Sequence, residues 1–282
     1  MIKKQKRALR DFSESDLPRN RKELFFECFK TRWRTLLLCG LFTSLFVLPL
    51  IMIEAYREII INSTSQNLNN VSNKESIDIY LNTVNNLFNL VSVISFVTLG
   101  IGCAGMSRII KNLAFGQPIF FFSDYLEGIK LNGLNFIIVF GLLGLSNFSS
   151  LFIVNGMKNN DLLGLLSLLF LSIIIYPILL LVLSETMVYK STIIECLKNG
   201  VIIYFRTLPI TLSVAALVML PSLIQFIPSY FIRILAFLGM VILALPFLML
   251  IWFLYSCNLF DKYININLFP ELVKKGLYKV DE

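Results

Sequence analysis

Residues 162–184 read LLGLLSLLFLSIIIYPILLLVLS, and this stretch decides the fold class. It contains no charged side chain, and its apolar residues form a continuous block without the spacing of a half-buried helix or strand. A bilayer core about 30 Å thick is crossed by roughly 20 helical residues, so the stretch is long enough to span a membrane. We interpret residues 162–184 as a transmembrane helix.

The composition of the whole chain agrees with this interpretation. Of its 282 residues, 56% are hydrophobic and 15% are charged, and the mean hydropathy is +0.75. A soluble domain has about a quarter of its residues charged, so this chain has too few charges to cover a water-facing surface. No stretch alternates as the strands of a membrane β-barrel do. The sequence therefore predicts an all-α fold, a polytopic transmembrane helical bundle.

Six apolar stretches are long enough to be spans of this bundle. They are residues 35–53, 87–106, 133–155, 162–184, 208–227 and 231–255. Pro221 and Pro228 support a break between the last two stretches, because proline interrupts a helix. A six-span domain over residues 35–255 is thus predicted between a basic N-terminal segment, 1–34, and a C-terminal tail, 256–282.

The basic residues predict the orientation of the spans. On alternate sides of the six spans, one side carries 21 of the 25 lysines and arginines. Since cytoplasmic loops are enriched in lysine and arginine, both termini are predicted in the cytoplasm of a multi-pass plasma-membrane protein. Helices lying on the cytoplasmic membrane surface are predicted near residues 18–34, 107–131 and 188–206. The net charge of +7 is then explained by this bias and by attraction to anionic membrane lipids, without a nucleic-acid partner.

Residue types that carry chemistry are sparse. The chain has no histidine, the commonest metal ligand and proton shuttle, and its five cysteines are scattered. No serine therefore has a histidine base, and no pair of acidic residues falls within a predicted span. We expect a protein that is not an enzyme and that binds neither a metal nor a cofactor.

A cluster of small residues stands at the end of the second predicted span. Residues 98–105 read TLGIGCAG, and Gly100, Gly102 and Ala104 would let another helix approach closely. The alternative is a break in the helix that lines a transport path. The third span contains Asn135, Asn147 and three serines, which either hydrogen-bond neighbouring helices or line such a path.

Aromatic residues concentrate beside basic ones on the predicted cytoplasmic side. The candidate partner-binding residues are Phe25, Phe29, Trp33, Phe121, Phe122 and Tyr125. Aromatic side chains dominate many protein interfaces, and they also anchor proteins at the membrane surface. A docking face for another protein and a simple anchor both explain them.

Several of these segments, taken in order, resemble the YesL-like family of bacterial membrane proteins, whose biochemical role is not established. The matching residues are Leu48-Pro49, Thr98-Leu99-Gly100 with Ala104, Arg108 to Lys111, Gly116-Gln117, Phe121-Phe122 and Ile129-Lys130-Leu131-Asn132. Members of that family often lie beside carbohydrate ABC importers. The resemblance therefore implies an accessory role in sugar uptake.

Two classes of function remain open from the sequence. In the first, the protein is a non-catalytic accessory or assembly partner of a membrane transport complex, and its cytoplasmic face binds a transporter subunit. In the second, the helical bundle is itself a transporter of a small molecule or a lipid. The small predicted external surface and the absence of acidic residues and lysine from the predicted spans favour the first.

Overall fold

The computed structural model describes residues 18–68, 74–156, 161–227 and 229–278. Every regular element in these ranges is helical, as the sequence predicts. Because these ranges begin at residue 18 and end at residue 278, they contain only part of the predicted N-terminal segment, 1–34, and of the predicted C-terminal tail, 256–282. Pro228 lies outside the described residues. The α-helices are α1 (Arg21–Thr31), α2 (Trp33–Leu45), α3 (Leu48–Leu68), α4 (Lys74–Ala114), α5 (Phe121–Gly156), α6 (Asp161–Phe170), α7 (Tyr176–Val188), α8 (Ile193–Arg206), α9 (Leu208–Met219), α10 (Tyr230–Gly239), α11 (Leu245–Phe260) and α12 (Ile266–Leu268).

Several of these helices are long and apolar enough to cross a bilayer, so the chain is an integral membrane protein. Four are continuous candidates: Ile79–Ala114, Phe121–Val154, Leu162–Val188 and Tyr230–Leu268. Two further candidates are bent pairs, in which α2 and α3 meet at 50° and α8 and α9 meet at 107°. The bundle thus has four spans, or up to six if each bent pair crosses the membrane.

Two of the predicted spans are interrupted in the structure. Residues 35–53 are predicted as one span, but α2 ends at Leu45 and α3 begins at Leu48. Residues 208–227 divide into α9 and a 3-10 helix, Leu220–Phe226, in which Pro221 occupies the first turn. Proline lacks the N–H that would continue the α-helical pattern, which explains the change to a tighter helix.

Proline also shapes the two longest C-terminal spans. A π-helical turn, Leu171–Ile175, joins α6 to α7 shortly before Pro177, and a second, Met240–Ala244, joins α10 to α11 before Pro246. Each proline has no N–H to donate to the carbonyl of the residue four positions earlier, and its ring clashes with that carbonyl. A wider turn relieves the clash. The carbonyl four positions before Pro177 belongs to Ile173, and it accepts a hydrogen bond from the Tyr204 hydroxyl of α8.

A tight turn joins α4 to α5 and changes the predicted surface helix at 107–131. Gly116 has a φ of +65°, and the N–H of Gln117 donates to the carbonyl of Asn112 at 2.8 Å, which closes α4 with a left-handed cap. Residues 107–114 therefore complete α4, and residues 121–131 begin α5. Ile109 and Ile110 are fully buried, so this segment belongs to the core and does not lie on the membrane surface.

The described ends of the chain meet at one end of the bundle, which we call the basic end. It comprises α1, the turn between α4 and α5, the loop between α7 and α8, and the segment that follows α11. The backbone N–H of Tyr278 donates to the carbonyl of Pro18 at 3.0 Å. The two ends thus lie on the same side of the bundle, an arrangement that requires an even number of crossings.

Candidate functional site

Helix α1 is fixed on the basic end by a reciprocal cap and by two buried side chains. Asn20 Oδ1 accepts from the N–H of Glu23 at 2.9 Å, and the Glu23 carboxylate accepts from the N–H of Arg19 at 2.8 Å. Leu24 and Cys28 lie one turn apart on the same face of α1, and both are buried. Burial, with a further contribution from the neighbouring Glu27, raises the pKa of the Cys28 thiol to about 11.

Arg21 joins three parts of the chain at this end. Its Nη1 donates to the carbonyl of Ala114 at 3.3 Å and to the carbonyl of Lys275 at 2.9 Å, and its Nη2 pairs with Asp261 at 3.2 Å. Ala114 is the last residue of α4, where the helix dipole favours a cation. The guanidinium therefore holds α1, α4 and the C-terminal segment together.

The C-terminal segment folds back onto α4 through two residues with left-handed backbone. Lys274 has a φ of 53° and Gly276 has a φ of 82°. A Cβ atom on Gly276 would stand 2.4 Å from the carbonyl oxygen of Ala114, so only glycine permits this approach. Leu277 is buried beyond it. The predicted tail is thus a docked part of the bundle as far as Tyr278.

A chain of polar contacts extends from Arg21 along the end of the bundle. Asp261 pairs with Arg21 through one carboxylate oxygen and accepts from Asn265 Nδ2 at 2.8 Å through the other. The Tyr189 hydroxyl donates in turn to Asn265 Oδ1. Burial raises the pKa of Tyr189 above its ordinary value, so the phenol keeps the proton that it donates.

A cleft opens between α1 and the C-terminal segment, with a volume of about 610 Å³. Five basic side chains and one carboxylate line it, which leaves a surplus of four positive charges. Asn20, Asn258 and three apolar side chains complete its wall. The charged lining residues are Arg19, Arg21, Lys22, Asp261, Lys262 and Lys274.

Two of the aromatic residues that the sequence singled out, Phe25 and Phe29 on α1, form a group with Phe247 of α11. Phe25 is half-buried and its ring centroid lies 6.3 Å from that of Phe29, which lies 5.4 Å from that of Phe247 in α11. Phe29 is 52% exposed and Trp33 is 45% exposed. Phe26, which was not among the predicted residues, is also exposed. The outer edge of this group is therefore accessible to another molecule.

The predicted residues on α5 form a second group around Phe42 of α2. The ring centroids of Phe121 and Phe122 lie 5.2 Å and 5.5 Å from that of Phe42. Phe122 is exposed, whereas Tyr125 is only 4% exposed. The Tyr125 hydroxyl donates to the carbonyl of Gly102 at 2.9 Å. Tyr125 is thus an internal packing residue and does not belong to an exposed face.

The small residues at 98–105 lie against neighbouring helices. A Cβ atom on Gly100 would meet Phe140 of α5 at 2.9 Å, and one on Gly102 would meet Phe46, between α2 and α3, at 3.0 Å. Ala104 is fully buried, and its carbonyl oxygen lies 2.7 Å from the position of a Cβ atom on Gly128. This arrangement allows the close packing of α4 and α5.

Charged residues of the segment predicted as a surface helix, 107–131, make contacts within the protein. Arg108 of α4 pairs with Glu127 of α5 at 3.0 Å, and Lys111 donates to the carbonyl of Met187 at 2.6 Å. Asp124 is buried and accepts from the N–H of Phe120 at 2.7 Å, which caps the start of α5. The cations available to a partner at the basic end are therefore fewer than the sequence suggests.

Glu185 is a buried carboxyl group near the end of α7. It is 1% exposed, one oxygen accepts from Asn199 Nδ2 of α8 at 2.6 Å, and the other oxygen has no hydrogen-bond partner among the described residues. The predicted span ended at residue 184, just before this residue, whereas the apolar helix continues to Val188. The Asn199 bond connects α7 and α8.

Sequence reasoning missed the residues that build the cleft. Asp261 lies six residues after the last predicted span, 231–255, and Lys274-Lys275-Gly276 combines charge with a turn residue. These signals favour a structured segment after the last span, but they do not show that Arg21 contacts it. Within the part of the chain that is described, no group of three or more His, Cys, Asp or Glu side chains could hold a metal ion.

Comparison with known proteins gives no relative: no protein-family model, curated protein or solved structure matches the chain. The resemblance to the YesL-like family rests on the sequence motifs alone.

Proposed function

We propose that this membrane protein is a non-catalytic accessory or assembly partner of a membrane transport complex in the plasma membrane. Its basic end faces the cytoplasm and binds another protein there. The observation that carries the proposal is the set of exposed aromatic side chains on α1 and α2, Phe26, Phe29 and Trp33. Basic residues lie next to them in the sequence. Large aromatic side chains with neighbouring cations are typical of interface hot spots.

The position of this group supports a protein partner in the cytoplasm. The basic residues are concentrated on the same end of the bundle, which favours a cytoplasmic location. Arg34 lies over the ring of Trp33 at 5.6 Å, so a cation and an aromatic surface are presented together. The resemblance to YesL-like proteins makes the membrane subunits of a carbohydrate importer the first partners to test.

Photo-crosslinking in intact cells tests this proposal against simple membrane anchoring. A photoreactive phenylalanine replaces Phe29 in one variant and Phe231 in a control. Phe231 is an equally suitable position because it is 70% exposed and begins α10 at the opposite end of the bundle. We expect Phe29 to crosslink to one protein and Phe231 to lipid. Crosslinks to lipid alone at Phe29 would identify an anchor.

A second measurement distinguishes the accessory role from transport by the helical bundle itself. Purified protein in liposomes should carry no flux of the sugar whose uptake depends on the partner. Replacing both Phe26 and Phe29 by Ser should remove the crosslink partner from mild-detergent extracts and reduce growth on that sugar. Flux through the purified protein alone would refute the accessory role.

A further inference from the structure

Beyond the proposed function, we infer that the cleft between α1 and the C-terminal segment is a binding site for a phosphate-bearing anion. The cleft contains the concentration of basic side chains described above, in a volume of about 610 Å³. Pockets for small molecules have volumes of about 300–1,000 Å³, so a phosphorylated headgroup or metabolite fits this one.

The charge of the cleft is not neutralised within the described protein. Asp261 is already paired with Arg21, and both side chains are largely buried. Arg19, Lys22 and Lys274 form no ion pair with any described residue. A wall of like charges that face each other across a cleft is unfavourable unless an anion enters, and phosphate accepts hydrogen bonds from several of them at once.

The cleft is a built feature of the fold. Arg21 is fixed by two backbone carbonyls and Asp261, so the floor of the cleft is held by α1, α4 and the C-terminal segment together. Lys274 reaches its position through a left-handed backbone, followed by the close contact of Gly276 with α4. Two separate parts of the chain thus supply the cations, which makes binding dependent on the folded structure.

Two kinds of ligand could supply the phosphate that binds in the cleft: an anionic lipid and a soluble organic phosphate. Asp261 and Ile266 lie within the last apolar helical stretch, Tyr230–Leu268, at the end where it leaves the bundle core. Ile266 lines the cleft and is exposed, which places an apolar side chain beside the cations. The headgroup of an anionic lipid and a soluble organic phosphate share the phosphate that the cleft would bind, and only the lipid needs the apolar wall.

Thermal unfolding of the purified protein in neutral detergent tests the site. Phosphatidylglycerol, phosphatidylcholine, glycerol 3-phosphate and inorganic phosphate are titrated separately. A ligand that binds the folded state raises Tm as its concentration increases. We expect phosphatidylglycerol to raise Tm and phosphatidylcholine not to do so. An equal rise with glycerol 3-phosphate identifies a soluble phosphate as the source, and no rise with it identifies the lipid.

Three variants separate the cleft from general charge attraction. Lys22→Gln removes a cation that lines the cleft, and Lys30→Gln removes one from the same helix outside it. Removing one basic side chain should weaken binding about five-fold for Lys22→Gln, and Lys30→Gln should bind as the wild type does. Lys274→Gly removes a third cation while relaxing the left-handed backbone, so this protein should fold normally and still bind more weakly.

The inference is overturned by either of two results. One is the absence of any Tm rise with all of the phosphate-bearing probes. The other is an equal loss of binding in Lys22→Gln and Lys30→Gln, which would mean that the ligand is attracted by net charge alone. Neither result depends on whether a protein partner binds the aromatic group.

Discussion

Arg21 and Asp261 are 240 positions apart in the chain, and their side chains form an ion pair of 3.2 Å at the basic end. The pair closes the bundle, because it connects the first described helix to the segment that follows the last long one. Arg21 also binds the carbonyl oxygens of Ala114 and Lys275. One side chain therefore donates a hydrogen bond to the last carbonyl of α4 and fixes the C-terminal segment.

Replacing Arg21 by Ala should strongly destabilise the protein. The Asp261 carboxylate would stay largely buried without its cation, and two carbonyl oxygens would lose their donor. Breaking one partner of a buried ion pair costs about 3–5 kcal/mol, so the loss should lie near the lower end of this range for a pair that is slightly exposed. Reversible unfolding of the wild type and of Arg21→Ala in detergent measures this difference in the free energy of unfolding.

Arg19→Ala is the matched control for this change. It removes a cation from the same short segment, but the Arg19 side chain makes no ion pair or hydrogen bond with a described residue. Its effect should be below about 0.5 kcal/mol. Arg21→Lys should be intermediate, because an ammonium group cannot reproduce the planar fork of the guanidinium. Equal stabilities for Arg19→Ala and Arg21→Ala would show that Arg21 does not hold the end together.

A second prediction concerns the contact of α2 with the π-helical turn before α11. A Cβ atom on Gly40 would stand 2.1 Å from the carbonyl oxygen of Ile242, a backbone atom that cannot move independently. Gly40→Ala should therefore force α2 away from this turn and lower the stability by about 1–3 kcal/mol, as overpacking in a tight core does. Tm in detergent reports the change.

Gly239→Ala provides the contrast, because no atom lies within 4 Å of the added Cβ atom. Alanine is a better helix former than glycine by about 0.5–1 kcal/mol, so this variant should be equally stable or slightly more stable. If Gly40→Ala were also neutral, α2 would not pack closely against the turn that contains Ile242.

Gly40 and Gly239 differ in their packing, and the sequence alone does not show this difference. The apolar runs predict the helices, since a block such as 162–184 has no other stable state in a bilayer. The small residues at 98–105 stand out because they are clustered. Gly40 is a single glycine in a leucine-rich stretch, and nothing local shows that the backbone of Ile242 approaches it. Such contacts depend on the packing of distant segments.

The basic end was harder to predict for the same reason. Charge counts indicated a basic side, but they did not indicate which cations contact other parts of the protein, as Arg108 does with Glu127 and Lys111 with the carbonyl of Met187. The pattern of Phe121, Phe122 and Tyr125 predicted one aromatic face. At the start of α5, however, the Tyr125 hydroxyl donates to the carbonyl of Gly102 in α4, while Phe122 is exposed. The position of α4 decides this difference.

Tyr204→Phe should show how the proline in α7 is accommodated. The Tyr204 hydroxyl donates to the carbonyl of Ile173, to which Pro177 offers no N–H. Loss of this hydrogen bond should cost about 1–2 kcal/mol of unfolding free energy. In a Pro177→Ala background an N–H is restored, so the same change should cost less. Tyr56→Phe, at an exposed position, is the control.

Equal costs of Tyr204→Phe in both backgrounds would argue against this account. The two sites would then be energetically independent, since coupled residues show a non-additive double mutant.

Thiol labelling in intact cells tests the orientation of the bundle. The five native cysteines are all buried, so the wild-type protein should remain unlabelled and serve as the control. The reporter variants are Lys30→Cys on α1, Lys198→Cys on α8 and Ser63→Cys on α3, each at an exposed position. A membrane-impermeant maleimide should label only Ser63→Cys, because the positive-inside bias places the basic end in the cytoplasm. Permeabilised cells should show labelling of all three.

The reverse pattern in intact cells would show that the protein has the opposite orientation in the membrane, and it would remove the basis for a cytoplasmic partner. Labelling of Lys198→Cys from outside, with Lys30→Cys protected, would place α1 and α8 on opposite sides of the membrane, although α8 directly follows a loop of the basic end.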